Sequence, residues 1–322
     1  MLNSIIVDRS IICKANELGA GKELRFNTVK DLAKFKLKAN SIGISVIDID
    51  KNLIMTYDSK SVTIISNKNI QIINRIQSVD KQFDRKYYSK HHGIGDTGIF
   101  SDTDFKKIDL HNINTADSFL NDMFSRSNIV EVDFGDFDTS EVITMDSLFR
   151  DCFGLRTIQF RDINTKNVKY MDNMFLNCHS LAELDLTRID TSNCTTFNRM
   201  FSRCNNLTEL DLSNFNTQNA TDMNCMFHAC TELQNININK FDTTNVKDMA
   251  YMFWDCNNLK SIDVSSFNTE NVTDMSYMFW GCTNLKELNI SNFKISPECD
   301  TNAMLGELQC KILQPAGIKL AQ

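Results

Sequence analysis

Residues 271–293 read NVTDMSYMFWGCTNLKELNISNF, and residues 245–267 read NVKDMAYMFWDCNNLKSIDVSSF. The two stretches align without a gap across a step of 26 residues. Followed outward, this step governs the last two thirds of the chain. Phe149, Phe175, Phe201, Phe227, Phe253 and Phe279 keep it, and so do Cys152, Cys178, Cys204, Cys230, Cys256 and Cys282. Apolar triplets such as Leu207/Leu210/Leu212 and Leu285/Leu288/Ile290 recur in the same frame. A fixed period of this length marks one supersecondary unit stacked on copies of itself. No unit can cover its own apolar face, so the copies must stack into a solenoid whose main product is surface.

Within one unit, Leu259-x-x-Ile262-x-Val264 alternates as a short strand in a parallel stack does. Phe267-Asn268-Thr269-x-Asn271 is polar and turn-like. Val272, Met275, Met278, Phe279 and Cys282 follow at steps of 3, 3, 1 and 3, the spacing of a helical face. Asn271 and Asp274 stand at capping-box spacing, with Asp in place of Glu or Gln. The expected fold is therefore an α/β solenoid, each unit a short parallel strand, a turn, one short helix and a turn. Asn167, Asn193, Asn219, Asn245 and Asn271 form a further ladder, placed to bond backbone of the adjacent coil. The six periodic cysteines are expected to be reduced and buried. Side chains of one ladder point the same way, whereas a disulfide needs converging Cβ vectors.

The motif Cys-x-x-Leu-x-x-Leu-x-Leu-x-x-Phe-Asn/Asp-Thr-x-Asn-Val-x-x-Met-x-x-Met-Phe resembles the BspA-like leucine-rich-repeat family. The resemblance covers residues from about 105 to 305, with 271–293 the closest copy. It implies a repeat solenoid, and it implies proteins that are often found at microbial surfaces or secreted, adhering to host or matrix components. Both ends depart from the pattern. Phe105/Ile108/Leu110 opens a unit about two residues short, Met304-Leu305 replaces Met-Phe, and Pro297 stands where Asn is expected. The expected organisation is an N-terminal mixed α/β capping module (1–104), about seven repeats (105–296) and a C-terminal cap (297–322).

Charge divides along the same line. Residues 1–100 carry 16 Lys+Arg against 10 Asp+Glu, a balance of +6, and the remainder 18 against 31, or −13. At 42% hydrophobic and 23% charged residues the composition is that of a folded globular chain. No apolar run approaches the length of a membrane helix. The N-terminal MLNSIIVDRSIICKANELG has a short apolar stretch broken by Asp8 and Arg9, unlike a secretion signal, so the chain as given reads as cytoplasmic. The N-terminal module reads as a helix at 28–39 and strands at 44–50, 53–57, 61–66 and 69–74.

Several weaker patterns carry no function. Gly93-Ile-Gly95-Asp-Thr-Gly98 lacks the strand and helix of a dinucleotide site. His91, His92 and Asp96 read as an exposed linker, and Arg85, Lys86 and Lys90 beside Tyr87 and Tyr88 are one small cluster, so nucleic acid is not expected. No nucleophile, base or metal-ligand set is visible, and neither an enzyme, a cofactor nor a metal is expected. The sequence leaves oligomeric state open.

Two surfaces remain as candidates for a protein partner. Trp254 and Trp280, the only tryptophans, and Tyr251 and Tyr277 lie one period apart and would stack as an aromatic patch. The outward strand positions Glu131, Asp133, Glu183, Asp185, Glu209, Asp211, Asp263 and Glu287 form an acidic stripe suited to a basic surface. The expected function is a non-catalytic protein-binding scaffold. Its alternatives are a surface adhesin, or an intracellular inhibitor or effector whose N-terminal module carries the activity.

Overall fold

The computed structural model describes Ser101, Leu110 and residues 120–316, and the backbone alone of the strands before residue 120. Those strands are β1 (Ser4–Val7), β2 (Glu23–Phe26), β3 (Leu53–Tyr57), β4 (Val62–Ser66), β5 (Ile70–Gln71), β6 (Lys107–Asp109) and β7 (Ile113–Asn114). The array adds β8 (Glu131–Asp133), β9 (Thr157–Gln159), β10 (Glu209–Asp211), β11 (Asn235–Asn237), β12 (Glu287–Asn289) and β13 (Lys311–Leu313). One sheet runs β1-β2-β3-β4-β6-β8-β9, so it crosses the boundary drawn at residue 104. The expected helix at 28–39 and strand at 44–50 lie outside the described residues.

In the array the strands pair in parallel at the sequence period: Val132 faces Ile158 and Leu210 faces Ile236. At the ends Lys107 faces Glu131 and Glu287 faces Lys311, so both terminal units are two residues short on this side. The strand ladder is interrupted. Residues 183–185 and 261–263 form no strand, and the array's sheet breaks into β8–β9, β10–β11 and β12–β13.

The short helices expected in each unit are absent: no helix occurs among the described residues. Val272, Met275, Met278, Phe279 and Cys282 are all buried, as the 3-residue spacing requires, yet they sit on a spiral of tight turns. Met278, Trp280 and Cys282 donate N–H to Met275, Tyr277 and Phe279, three residues back. The alternate residues Met275, Tyr277, Phe279 and Gly281 donate instead to Asp300, Asn302, Met304 and Gly306 in the next coil. An α-helix would keep every N–H inside its own segment; here half of them bond outward. The backbone reaches this arrangement by taking left-handed φ at every fourth residue, at Tyr251 (60°), Asp255 (58°), Tyr277 (55°) and Gly281 (76°) among others. Such φ at the third position of a turn is the type II pattern. Asn271 and Asp274 cap no helix. The Asn271 amide donates to Thr244 O at 2.8 Å, and Asp274 accepts the Ser276 N–H at 2.8 Å.

Inside the spiral, one column of rings runs the length of the array. Phe124, Phe149, Phe175, Phe201, Phe227, Phe253 and Phe279 stack at 5.1–5.7 Å with planes within 12° of parallel. Beside them the six periodic cysteines are fully buried and unbridged. Each thiol has its own acceptor: Cys204 Sγ lies 3.2 Å from Phe175 O and Cys230 Sγ 3.1 Å from Phe201 O. Burial pushes the Cys152 and Cys230 thiols up to about 12, so they stay protonated. The Asn ladder bonds as expected, with Asn193 and Asn219 donating to Lys166 O and Ser192 O.

A second polar ladder was not singled out from sequence. Thr139, Thr165, Thr191, Thr217, Thr243 and Thr269 are buried, and each hydroxyl bridges to the next coil. Thr191 Oγ1 donates to Asn216 O at 2.9 Å and accepts the Asn216 N–H at 2.8 Å. One hydroxyl thus satisfies both backbone groups of a residue 25 positions on.

Two outcomes test this packing. Thr191→Val should cost about 2 kcal/mol or more in denaturant melts, because it strands a part-buried N–H and C=O together. Thiol titration of the native chain should leave Cys152, Cys178, Cys204, Cys230, Cys256 and Cys282 unreactive until denaturant is added, with Cys299 and Cys310 the first of the described thiols to respond.

Candidate functional site

Three positions of the turn spiral serve the stack in every coil but the last through backbone groups, and their side chains vary from coil to coil. They hold Ser147/Arg150/Asp151, Asn173/Leu176/Asn177, Arg199/Ser202/Arg203, Cys225/His228/Ala229, Tyr251/Trp254/Asp255, Tyr277/Trp280/Gly281 and Ala303/Gly306/Glu307 in successive coils. The four aromatic residues expected to form a patch are brought together here. Tyr251 and Tyr277 stack at 5.0 Å with 5° between planes. Trp254 lies 5.1 Å from Tyr251 and 6.1 Å from Tyr277, and Trp280 lies 5.6 Å from Tyr277. All four are half-buried.

His228 extends the cluster by one coil, stacking on Trp254 at 4.8 Å while Ser202 Oγ lies 3.1 Å from its Nδ1. His228 stands one period before Trp254 in the same column. Burial, with Arg203 and Arg199 nearby, lowers its pKa to about 4. At the other end Trp280 lies against Gly306, where a Cβ would come within 2.1 Å of its Cε3. Glycine at 306 is thus a steric requirement of the tryptophan one coil earlier. Gly281 plays the same part for Asp255, whose Oδ1 would lie 2.4 Å from a Cβ there.

The acidic stripe has a different character. Asp185, Asp211 and Asp263 accept the backbone N–H of Thr187, Ser213 and Ser265 two residues on, at 2.9–3.0 Å. Hydrogen bonds from the hydroxyls and backbone N–H groups of Thr187, Ser213 and Ser265 hold their carboxyls below the usual carboxylate range. Asp133 caps Gly135 likewise and takes both nitrogens of a fork from Arg161, at 2.6 and 2.7 Å. Glu287 pairs with Lys311 at 3.2 Å, and Glu209 accepts from Asn235 at 3.1 Å. Half the stripe therefore caps turns. Glu131 and Glu183 complete it, both exposed.

No group of three or more His, Cys, Asp or Glu side chains is placed to hold a metal among the described residues. Residues 85–98, with the glycine-rich and basic motifs, lie outside them. No helix among the described residues is long and apolar enough to cross a membrane.

Fold and site together define a repeat solenoid with one aromatic island on its turn face. A family model described as "Mycoplasma protein of unknown function, DUF285" matches residues 97–209 and 203–312. The chain belongs to that family. Among solved structures, a leucine rich cell surface protein from Faecalibacterium prausnitzii is similar at 14% identity, covering 86% of this chain and 96% of that one, with a TM-score of 0.30. No curated protein matches the chain. The cytoplasmic location expected from the N-terminal sequence draws no support from these comparisons.

The histidine makes the island sensitive to acid. Its folded pKa lies below the value of about 6.5 for the unfolded chain, so the unfolded state binds the extra proton. Stability should fall as pH drops from about 6.5 toward 4. Asp248 and Asp255, raised chiefly by burial, act in the opposite sense. The informative quantity is thus a difference: His228→Ser, the residue of the preceding coil, should melt with a shallower pH dependence in that window than the parent chain.

Proposed function

We propose that the chain is a non-catalytic scaffold that binds a protein partner through Tyr251, Trp254, Tyr277 and Trp280. One observation carries the reading. Positions held by Ser147, Asn173, Arg199 and Cys225 and by Arg150, Leu176, Ser202 and His228 in the earlier coils become tyrosine and tryptophan in two successive coils, and their rings touch while staying half-exposed. Core packing does not need them, since the Phe column fills the interior of every coil. Partly exposed Trp and Tyr held rigid by neighbours lose little entropy on binding and dominate interface energetics. The acidic strand face is a weaker candidate, because Asp133, Asp185, Asp211 and Asp263 are already engaged in capping their own turns. Display at a microbial surface is the setting that the BspA-like resemblance implies.

Affinity capture with the full chain, compared with Tyr251→Ser/Trp280→Ser and Glu183→Lys/Glu209→Lys, tests this. The aromatic variant should lose its captured proteins, with affinity weakened by about 30-fold or more, the equivalent of a hot spot of about 2 kcal/mol. Its melting temperature should stay near that of the parent. Equal capture by the aromatic variant, with capture lost in the charge-reversed one, would move the interface to the strand face.

A further inference from the structure

The aromatic island is not electrically symmetric. On the side of the lower-numbered coils stand Arg199 and Arg203, both exposed and with no carboxylate partner among the described residues. Asp255, in the coil of Tyr251 and Trp254, and Glu307, one coil past Tyr277 and Trp280, share a column two coils apart, with no basic partner among the described residues. Between these two carboxylates the column holds Gly281, which has no side chain to separate them. Burial first, and then the charge of Glu307, raises the Asp255 pKa. Two acids facing across a glycine are unfavourable unless a cation joins them.

The neighbouring columns supply aromatic faces for one. Beyond Tyr277 the next residue of its column is Ala303, and beyond Trp280 it is Gly306. The two rings are tilted 51° to each other at 5.6 Å, forming two walls of a corner. Two aromatic walls and two carboxylates with no basic partner among the described residues together favour a positive charge next to a π-face. A guanidinium suits this best, since it stacks on aromatic rings and offers a planar fork to carboxylates.

We propose that the corner formed by Tyr277, Trp280, Asp255 and Glu307 receives an arginine side chain from a basic segment of the partner protein. This rests on the reading that the aromatic island is the partner-binding face. It adds the chemistry and the orientation: the basic residue of the partner docks toward Glu307, and any acidic residue on it toward Arg199 and Arg203.

The test uses the full chain and a pentaarginine peptide, acetylated and amidated. Trp254 and Trp280 are the only tryptophans, so intrinsic emission reports this region alone. Pentaarginine should change that emission saturably, and added salt should weaken the effect. Asp255→Asn/Glu307→Gln, which keeps both tryptophans, should bind about tenfold more weakly or worse. Glu183→Gln/Glu209→Gln, altered only on the strand face, should bind as the parent does. The proposal is overturned if pentaarginine leaves the emission unchanged, if the Asp255/Glu307 variant binds as tightly as the parent, or if pentaglutamate binds better. Those outcomes leave the partner-binding reading standing, because it is judged separately by capture with the Tyr251/Trp280 variant.

Discussion

The structure depends on the hydrogen bonds that run from each turn spiral to the next. In every described coil but the last, alternate N–H groups leave their own segment and meet carbonyls about 25 residues on, as Tyr251 meets Ser276 and Tyr277 meets Asn302. This ladder is continuous from residue 120 to residue 306, whereas the strand ladder breaks twice. The spine of the solenoid is thus its turn side, and the strands are a partial second seam. Residues such as Tyr251 and Asp255 accept left-handed φ, at about 1–2 kcal/mol each, because only that conformation turns successive amides outward.

Three side-chain ladders then close the groups that the spiral and the loops leave open. The threonine hydroxyls bridge two backbone groups apiece, the asparagine amides reach a carbonyl of the preceding coil, and the cysteine thiols donate to phenylalanine carbonyls. All three act between coils, so none can form in a single unit. This explains why the sequence keeps Thr, Asn and Cys as strictly as it keeps Phe and Leu. A polar ladder that fails at one coil strands groups in two, which ties the units into a cooperative stack.

The period, the stacking and the burial of Met, Phe and Cys were legible in the sequence because each is a one-dimensional pattern. The turn spiral was not. Val272, Met275, Met278, Phe279 and Cys282 return to one face every three residues or so, and both a helix and a run of overlapping turns do that. The difference lies in where the N–H groups go, and that is a property of the neighbouring coil. Gly281 held a clue, as a glycine at a repeated position that Asp151, Asn177 and Asp255 fill elsewhere, residues that tolerate left-handed φ. The aromatic pairs were visible as pairs. The contribution of His228, Gly306, Asp255 and Glu307 was not, since each gains meaning only from the side chain stacked beside it.

A solenoid that fixes its interior so rigidly leaves few places for specificity. On the strand face, the acidic positions next to the turns cap their own backbone, so substituting them disturbs turn geometry along with charge. On the spiral face, the contribution the varying positions make in every coil but the last is a backbone one. Their side chains change from Ser147 to Arg199 to Tyr277 without altering φ by more than a few degrees, 57°, 53° and 55°. The face that bears the structural load through its main chain is for that reason the one whose side chains are free to be selected for a partner. Arg199 and Arg203 precede the ring cluster along it, Asp255 lies within the cluster and Glu307 beyond it, so an otherwise regular face has a direction.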